Sequence, residues 1–111
     1  MNNYVQVVTT TASREDAERI ARGLVEGRLA ACVQVLGPVT STYHWQGAIE
    51  TSQEWLLVAK SRRDLYEAIE KAIRQAHPYQ VPEILAVPIL AGSADYLAWL
   101  DGEVKGSDEK E

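Results

Sequence analysis

The chain has 111 residues, 46% of them hydrophobic and 24% charged, with a net charge of -5. That length fits one domain and leaves no room for a second. The acidic balance, with Lys and Arg scattered among carboxylates, excludes a general nucleic-acid binder, which needs clustered cations to neutralise phosphate. No segment sustains the apolar length of a membrane span. The start, Met1-Asn2-Asn3-Tyr4, lacks the basic-then-apolar run of a secretory signal. A cytoplasmic setting is the expectation, and the lone Cys32 agrees, since it can form no intrachain disulfide.

Tyr4 to Thr10 is β-rich and predicts a strand. Ser13 offers a helix N-cap with Asp16 three residues on, and Ala17, Ile20, Ala21, Leu24 and Val25 form one face at a period of 3.6. Gly27 is placed to end that helix. Leu29 to Leu36 is an apolar run suited to a buried strand, interrupted at Gly37-Pro38 and resumed from Val39 to Trp45. Gln46-Gly47 signals a turn, and Ala48 to Lys60 returns through a polar patch, completing a long hairpin. A second Ser-x-x-Asp cap, Ser61 with Asp64, opens a helix that buries Leu65, Ala68, Ile69, Ala72, Ile73 and Ala76 and stops at Pro78. Glu83 to Ile89 predicts a fourth strand, and Pro88 confines it to an edge. Ser93 caps a last short helix carrying Leu97, Trp99 and Leu100, with Trp99 expected in the core. Residues 103–111 are charged and predict a flexible acidic tail behind a domain of residues 1–102.

The order β-α-β-β-α-β-α defines an α+β fold, the split βαβ pattern of a ferredoxin-like sandwich. Right-handed crossovers put both long helices on one face of an antiparallel sheet. The hairpin arms, Ala30 to Trp45 and Ala48 to Lys60, would each span roughly 45–50 Å. A domain of this length has a radius of gyration of about 13 Å, so the arms must overhang it. Tyr43, Trp45 and Ile49 at the tip suit a subunit interface better than bare solvent, and closed cyclic symmetry would satisfy every copy at once.

His77, just before Pro78, admits two readings: a metal ligand or proton carrier, or a ring bonding the last helix carbonyls. Cys32, inside an apolar strand, reads as a small core residue, or as a thiolate if His77 lies near it. Glu83 and Tyr79 are candidates for a cleft, and Lys60, Arg62 and Arg63 form a basic group able to pair with Glu83. No metal-binding HxH or HExxH spacing, nucleotide loop, hydrolase elbow or CxxC is present. No catalytic constellation emerges, and an enzyme is not expected.

Three blocks carry a family resemblance: Arg28-Leu29-Ala30-Ala31-Cys32-Val33, the run from Gly37 to Gly47, and His77-Pro78-Tyr79-Gln80-Val81-Pro82-Glu83-Ile84-Leu85, with Tyr96 to Leu100 behind. In this order, over nearly the full length, they resemble the CutA divalent-cation-tolerance family. The resemblance implies a ferredoxin-like homotrimer joined through the long hairpins, an architecture similar to the trimeric PII signalling proteins. It implies a response to copper and other divalent cations without a required cofactor. A divalent metal such as copper would be held weakly, with His77 and Cys32 at the matching positions. Thr9 stands where copper-binding members carry a further cysteine, and it is a much poorer ligand for a soft metal. The alternative it implies is a PII-like sensor holding a small molecule in an inter-subunit cleft near Tyr79, Glu83 and Lys60. Neither nucleic acid nor membrane is an expected partner.

Overall fold

A computed structural model describes residues 3–106. Its elements are β1 (Tyr4–Thr11), α1 (Arg14–Glu26), β2 (Cys32–Trp45), β3 (Ala48–Arg62), α2 (Tyr66–Ala76), β4 (Leu85–Pro88) and α3 (Ala94–Glu103). The strands form one antiparallel sheet in the order β2-β3-β1-β4, the expected ferredoxin-like arrangement.

Helix α1 begins where the sequence places it. The Ser13 hydroxyl accepts from the Asp16 N–H at 3.0 Å, and Gly27 closes the far end by donating to the Gly23 carbonyl. Ala17, Ile20 and Leu24 are buried, whereas Val25 lies off the stripe and is exposed. Helix α2 buries Ile69 and Ile73 behind Leu65, completing a core with Val5, Val7, Leu57 and Ala59 of the sheet. Ser61 does not cap α2. Strand β3 runs on to Arg62, a 3-10 turn covers Arg63–Leu65, and the fully buried Ser61 hydroxyl donates to the Leu29 carbonyl at 2.6 Å. A long-range demand on this hydroxyl thus replaces the local one.

Pro88 ends the edge strand β4, as its missing N–H requires. The strand begins at Leu85, so Glu83 stays in the preceding loop. In α3, Leu100 takes the buried position and Trp99 is 45% exposed, contrary to its expected place in the core. Adjacent helical residues lie about 100° apart, so only one of the two can face inward. The boundary expected after residue 102 falls inside α3. Val104 beyond it is buried, and the Lys105 N–H donates to the Arg28 carbonyl at 2.8 Å. The remainder of the expected tail, 107–111, lies outside the described residues. Arg62 does not reach toward Glu83; it meets Asp64 at 3.0 Å, Asp101 at 3.7 Å and the Lys105 carbonyl at 2.6 Å, fastening α3 to the end of the sheet.

The two faces of the sheet differ. Val5, Val7, Thr9, Val33, Val35, Leu57 and Ala59 alternate onto the helix-covered face. Val8, Cys32, Leu36, Leu56, Val58, Leu85 and Val87 alternate onto the other, which no helix covers. Leu36, Leu85 and Val87 are exposed there, Leu85 by 56%. Gln6, Gln34 and Lys60 share this face with them, so it is apolar in part and uncovered throughout.

Only the inner part of the hairpin is supported by the rest of the sheet. Strand β1 pairs with β3 from Trp55 to Arg62, leaving Ala48 to Glu54 paired with β2 alone. The Gln46-Gly47 turn, with both φ positive at 52° and 85°, has the primed geometry that matches strand twist. The molecule measures 44 × 26 × 21 Å along its principal axes, consistent with an overhanging arm.

Thr9 is 1% exposed, and its hydroxyl is the one buried side-chain polar atom without a hydrogen-bond partner among the described residues. An unsatisfied buried hydroxyl costs about 1–3 kcal/mol. Thr9→Val keeps the shape and removes the hydroxyl, so the expected result is stabilisation by about 1 kcal/mol. Thermal denaturation at fixed protein concentration measures it; a lower midpoint would show that the hydroxyl has a partner in solution.

Candidate functional site

The loop after α2 is pinned by His77. The backbone before Pro78 is extended, with φ -87° and ψ 134° at His77, which turns the chain out of the helix. The ring is 8% exposed. Its Nδ1 accepts from the Tyr79 backbone N–H at 3.1 Å, so the proton sits on Nε2, which donates to the Thr10 carbonyl at 2.6 Å. The ring therefore bonds β1 and its own loop, not the last carbonyls of α2. The Ala76 carbonyl is met instead by Arg19 of α1 at 3.0 Å, and the same guanidinium holds Asp16 at 2.9 Å, keeping that carboxyl below its usual range. With both ring nitrogens engaged, a metal at His77 would have to break one of these bonds first.

Pinned in this way, the loop forms one wall of a groove of about 860 Å³. The overhanging hairpin forms the other. Its lining includes Thr10 of β1, Tyr43 and Trp45 of β2, Glu54 of β3, and Tyr79 and Glu83 of the loop. The hairpin side chains arrive there because of an irregularity at Gly37-Pro38. Leu36 pairs with Leu56, but the next pair is Val39 with Glu54, so β2 carries one extra residue. One inserted residue reverses the facing of everything beyond it. Before the bulge Cys32, Gln34 and Leu36 share the face of Leu56 and Val58; after it Val39, Ser41, Tyr43 and Trp45 share the face of Glu54. Ile49, paired with His44, falls on the opposite side of the hairpin from Tyr43 and Trp45.

The Tyr79 hydroxyl closes the floor of the groove by donating to Glu54 Oε2 at 2.9 Å. Burial, reinforced by that bond to an anion, pushes the Tyr79 phenol up to about 12. A raised folded value means that the bond's contribution is complete below the ordinary tyrosine value of 10.0 and is lost as pH rises through about 12. Tyr4 and Tyr66 are raised as well, so spectrophotometric titration of the folded protein is expected to show several late-ionising tyrosines, of which the latest disappears in Tyr79→Phe. Survival of that latest transition would assign it elsewhere.

The residues expected to act together are divided by the fold. Cys32 is half-buried on the uncovered sheet face, opposite Lys60 of β3, which in turn is opposite Gln6 of β1. His77 is fastened at Thr10, about 13 Å farther along β1 and two strands away. One chain therefore does not bring Cys32 and His77 together. Thr9 alternates onto the helix-covered face, opposite to Cys32. Lys60 lies about 20 Å along β3 from Glu54, away from Tyr79 and Glu83 within the chain. No group of three His, Cys, Asp or Glu converges for a metal among the described residues. Glu54 and Thr10 were not singled out from sequence. Glu54 sits in the polar patch of the second arm, where only the bulge reveals which side chains share its face.

The chain matches the profile of the CutA1 divalent ion tolerance protein family over residues 5–103. It is 45% identical over 94 residues to the divalent-cation tolerance protein CutA of Thermus thermophilus, covering 85% of this chain and 91% of that protein. It is 36% identical over 101 residues to the chloroplastic CutA of Arabidopsis thaliana, 91% of this chain but 56% of that longer protein. The crystal structure of CutA1 from Oryza sativa superposes with a TM-score of 0.91 at 34% identity, over 94% of this chain and 95% of that one. A family profile matched over residues 5–103, a shared architecture and similarity over most of the chain converge on one assignment: the chain belongs to the CutA divalent-cation-tolerance family.

Proposed function

We propose that the chain works as a cytosolic homotrimer in the response to divalent cations, copper among them, as a binding protein rather than an enzyme. The observation that carries this reading is the uncovered apolar sheet face, continuous with the overhanging hairpin. Three copies in closed symmetry would bury those faces and support each hairpin on a neighbour. The name of the Thermus relative supplies the divalent-cation role. Assembly would also set Cys32, His77 and Lys60 against residues of adjacent copies, the one way in which they could share a site. The lone thiol of Cys32 supports a reducing compartment. Any divalent metal is held weakly, because within one chain the soft donors are apart and the groove offers oxygen ligands from Glu54 and Glu83.

The test is a copper challenge in cells that lack the protein. Wild type is expected to restore growth, and a form unable to assemble is not. Equal rescue by an unassembled form would contradict the proposal, as would absence of rescue by wild type.

A second reading is favoured by the groove itself. Its volume of about 860 Å³ lies in the range of small-molecule sites. In that reading the trimer is a PII-like sensor, and the occupant of the groove sets its state.

A further inference from the structure

Strand β3 carries a charge gradient along the uncovered face. Every second residue, from Lys60 through Val58, Leu56, Glu54 and Ser52 to Glu50, alternates onto that side, while Ala59, Leu57 and Trp55 between them pack toward the core. The strand is therefore basic at its sheet end, apolar in its middle and acidic where the hairpin overhangs. Arg62, one step beyond Lys60, is already matched by Asp64 and Asp101. Lys60 and Glu54 are each half-buried, and neither has an ion pair among the described residues. Within one chain they cannot meet, because six strand positions hold them roughly 20 Å apart.

Closing the trimer completes the burial of both side chains. A buried charge left alone is strongly destabilising, so each needs an opposite charge from another copy. The gradient identifies which one. In a closed ring of three the contact is heterologous, so one patch of a copy meets a different patch of the next. Like ends set together would oppose Lys60 to Lys60 and Glu54 to Glu54, whereas the hairpin end of one copy on the basic end of the next opposes unlike charges. Glu50 and Glu83 are exposed and can stay hydrated at a rim, so they need no such partner. Glu54 is also held ready: the Tyr79 hydroxyl donates to its Oε2 at 2.9 Å, leaving Oε1 for a second donor.

We propose that Lys60 of each copy pairs with Glu54 of the neighbouring copy, one half-buried ion pair at each contact seating the hairpin head to tail. The inference rests on the trimer reading and adds the contact that decides which end of the next copy the hairpin takes.

Charge reversal of the full chain, read by light scattering over a dilution series, tests it. Lys60→Glu and Glu54→Lys are each expected to weaken association at least about tenfold with the circular dichroism spectrum unchanged. The double variant restores unlike charges at every contact of the ring, and it is expected to assemble within about threefold of wild type. A double variant no better than the single ones would overturn the pairing, as would assembly indifferent to both reversals. Should a reversal disturb the spectrum, the neutral pair Lys60→Met and Glu54→Gln takes its place. Each alone is then expected to weaken assembly, and the two together to cost less than their sum; losses that simply add would overturn the pairing as well. A wild-type chain that is monomeric at micromolar concentration would remove the trimer reading itself, whereas a wild-type trimer that fails the charge test removes only this contact.

Discussion

Gly37→Ala is expected to destabilise the protein by about 1–3 kcal/mol, the usual cost of forcing an extra methyl into a filled space. An added Cβ would lie 2.5 Å from Trp55 Cδ1 and 2.8 Å from its Cγ. Neither contact is with the free end of a flexible chain. The indole is half-buried and packs against the core, so it can yield only by leaving its place. The consequence extends beyond stability. The bulge at Gly37-Pro38 determines which hairpin side chains share the face of Glu54. A β2 strand forced to straighten would turn Tyr43 and Trp45 away from the groove. Urea denaturation followed by tryptophan fluorescence reads both effects, as a lower midpoint and a shifted native emission. An unchanged midpoint would mean that the close approach of Trp55 to Gly37 does not hold in solution.

Val58→Asp is expected to prevent the proposed trimer from forming while leaving the fold of each chain intact. Val58 sits in the middle of β3, flanked by Gln34 of β2 and Val8 of β1, on the face that no helix covers. It is outside the helix-side core, so a monomer can hydrate the new carboxylate. In a closed trimer the same carboxylate would be desolvated without a partner in every copy. That costs at least about 3 kcal/mol per chain, enough to weaken association roughly a hundredfold. Size-exclusion chromatography coupled to light scattering, with far-ultraviolet circular dichroism as the control for folding, checks it. A Val58→Asp protein that keeps the wild-type mass would show that the apolar face is not the contact surface.

Much of the fold is legible in the sequence because its signals are local. The Ser13 cap, the stripe of Ala17, Ile20 and Leu24, the Gln46-Gly47 turn and the edge position enforced by Pro88 each need only neighbouring residues. Where expectation and structure part, a distant group decides. Ser61 has the spacing of a cap, but its hydroxyl is taken by the carbonyl of Leu29. Trp99 has the apolarity of a core residue, but Leu100 occupies the inward position.

The site is less legible for the same reason. Tyr79 and Glu83 are recognisable as cleft candidates because two prolines stiffen their loop. Glu54 is 25 positions away from Tyr79, and Thr10 is 67 positions away from His77. No local pattern announces such pairs. The single extra residue in β2 is legible as an interruption, but its effect on Tyr43 and Trp45 requires the register. Cys32 and His77 show the converse. Their types invite a shared metal site, and only the sheet order and register place them two strands apart in one chain.

In the proposed trimer the uncovered sheet face and the hairpin of each chain close on its neighbours. Sedimentation equilibrium of the full chain at micromolar concentration tests it most directly. The expected particle has three times the 12.3 kDa mass of one chain. A particle of 12.3 kDa, unchanged as concentration rises, would contradict the account.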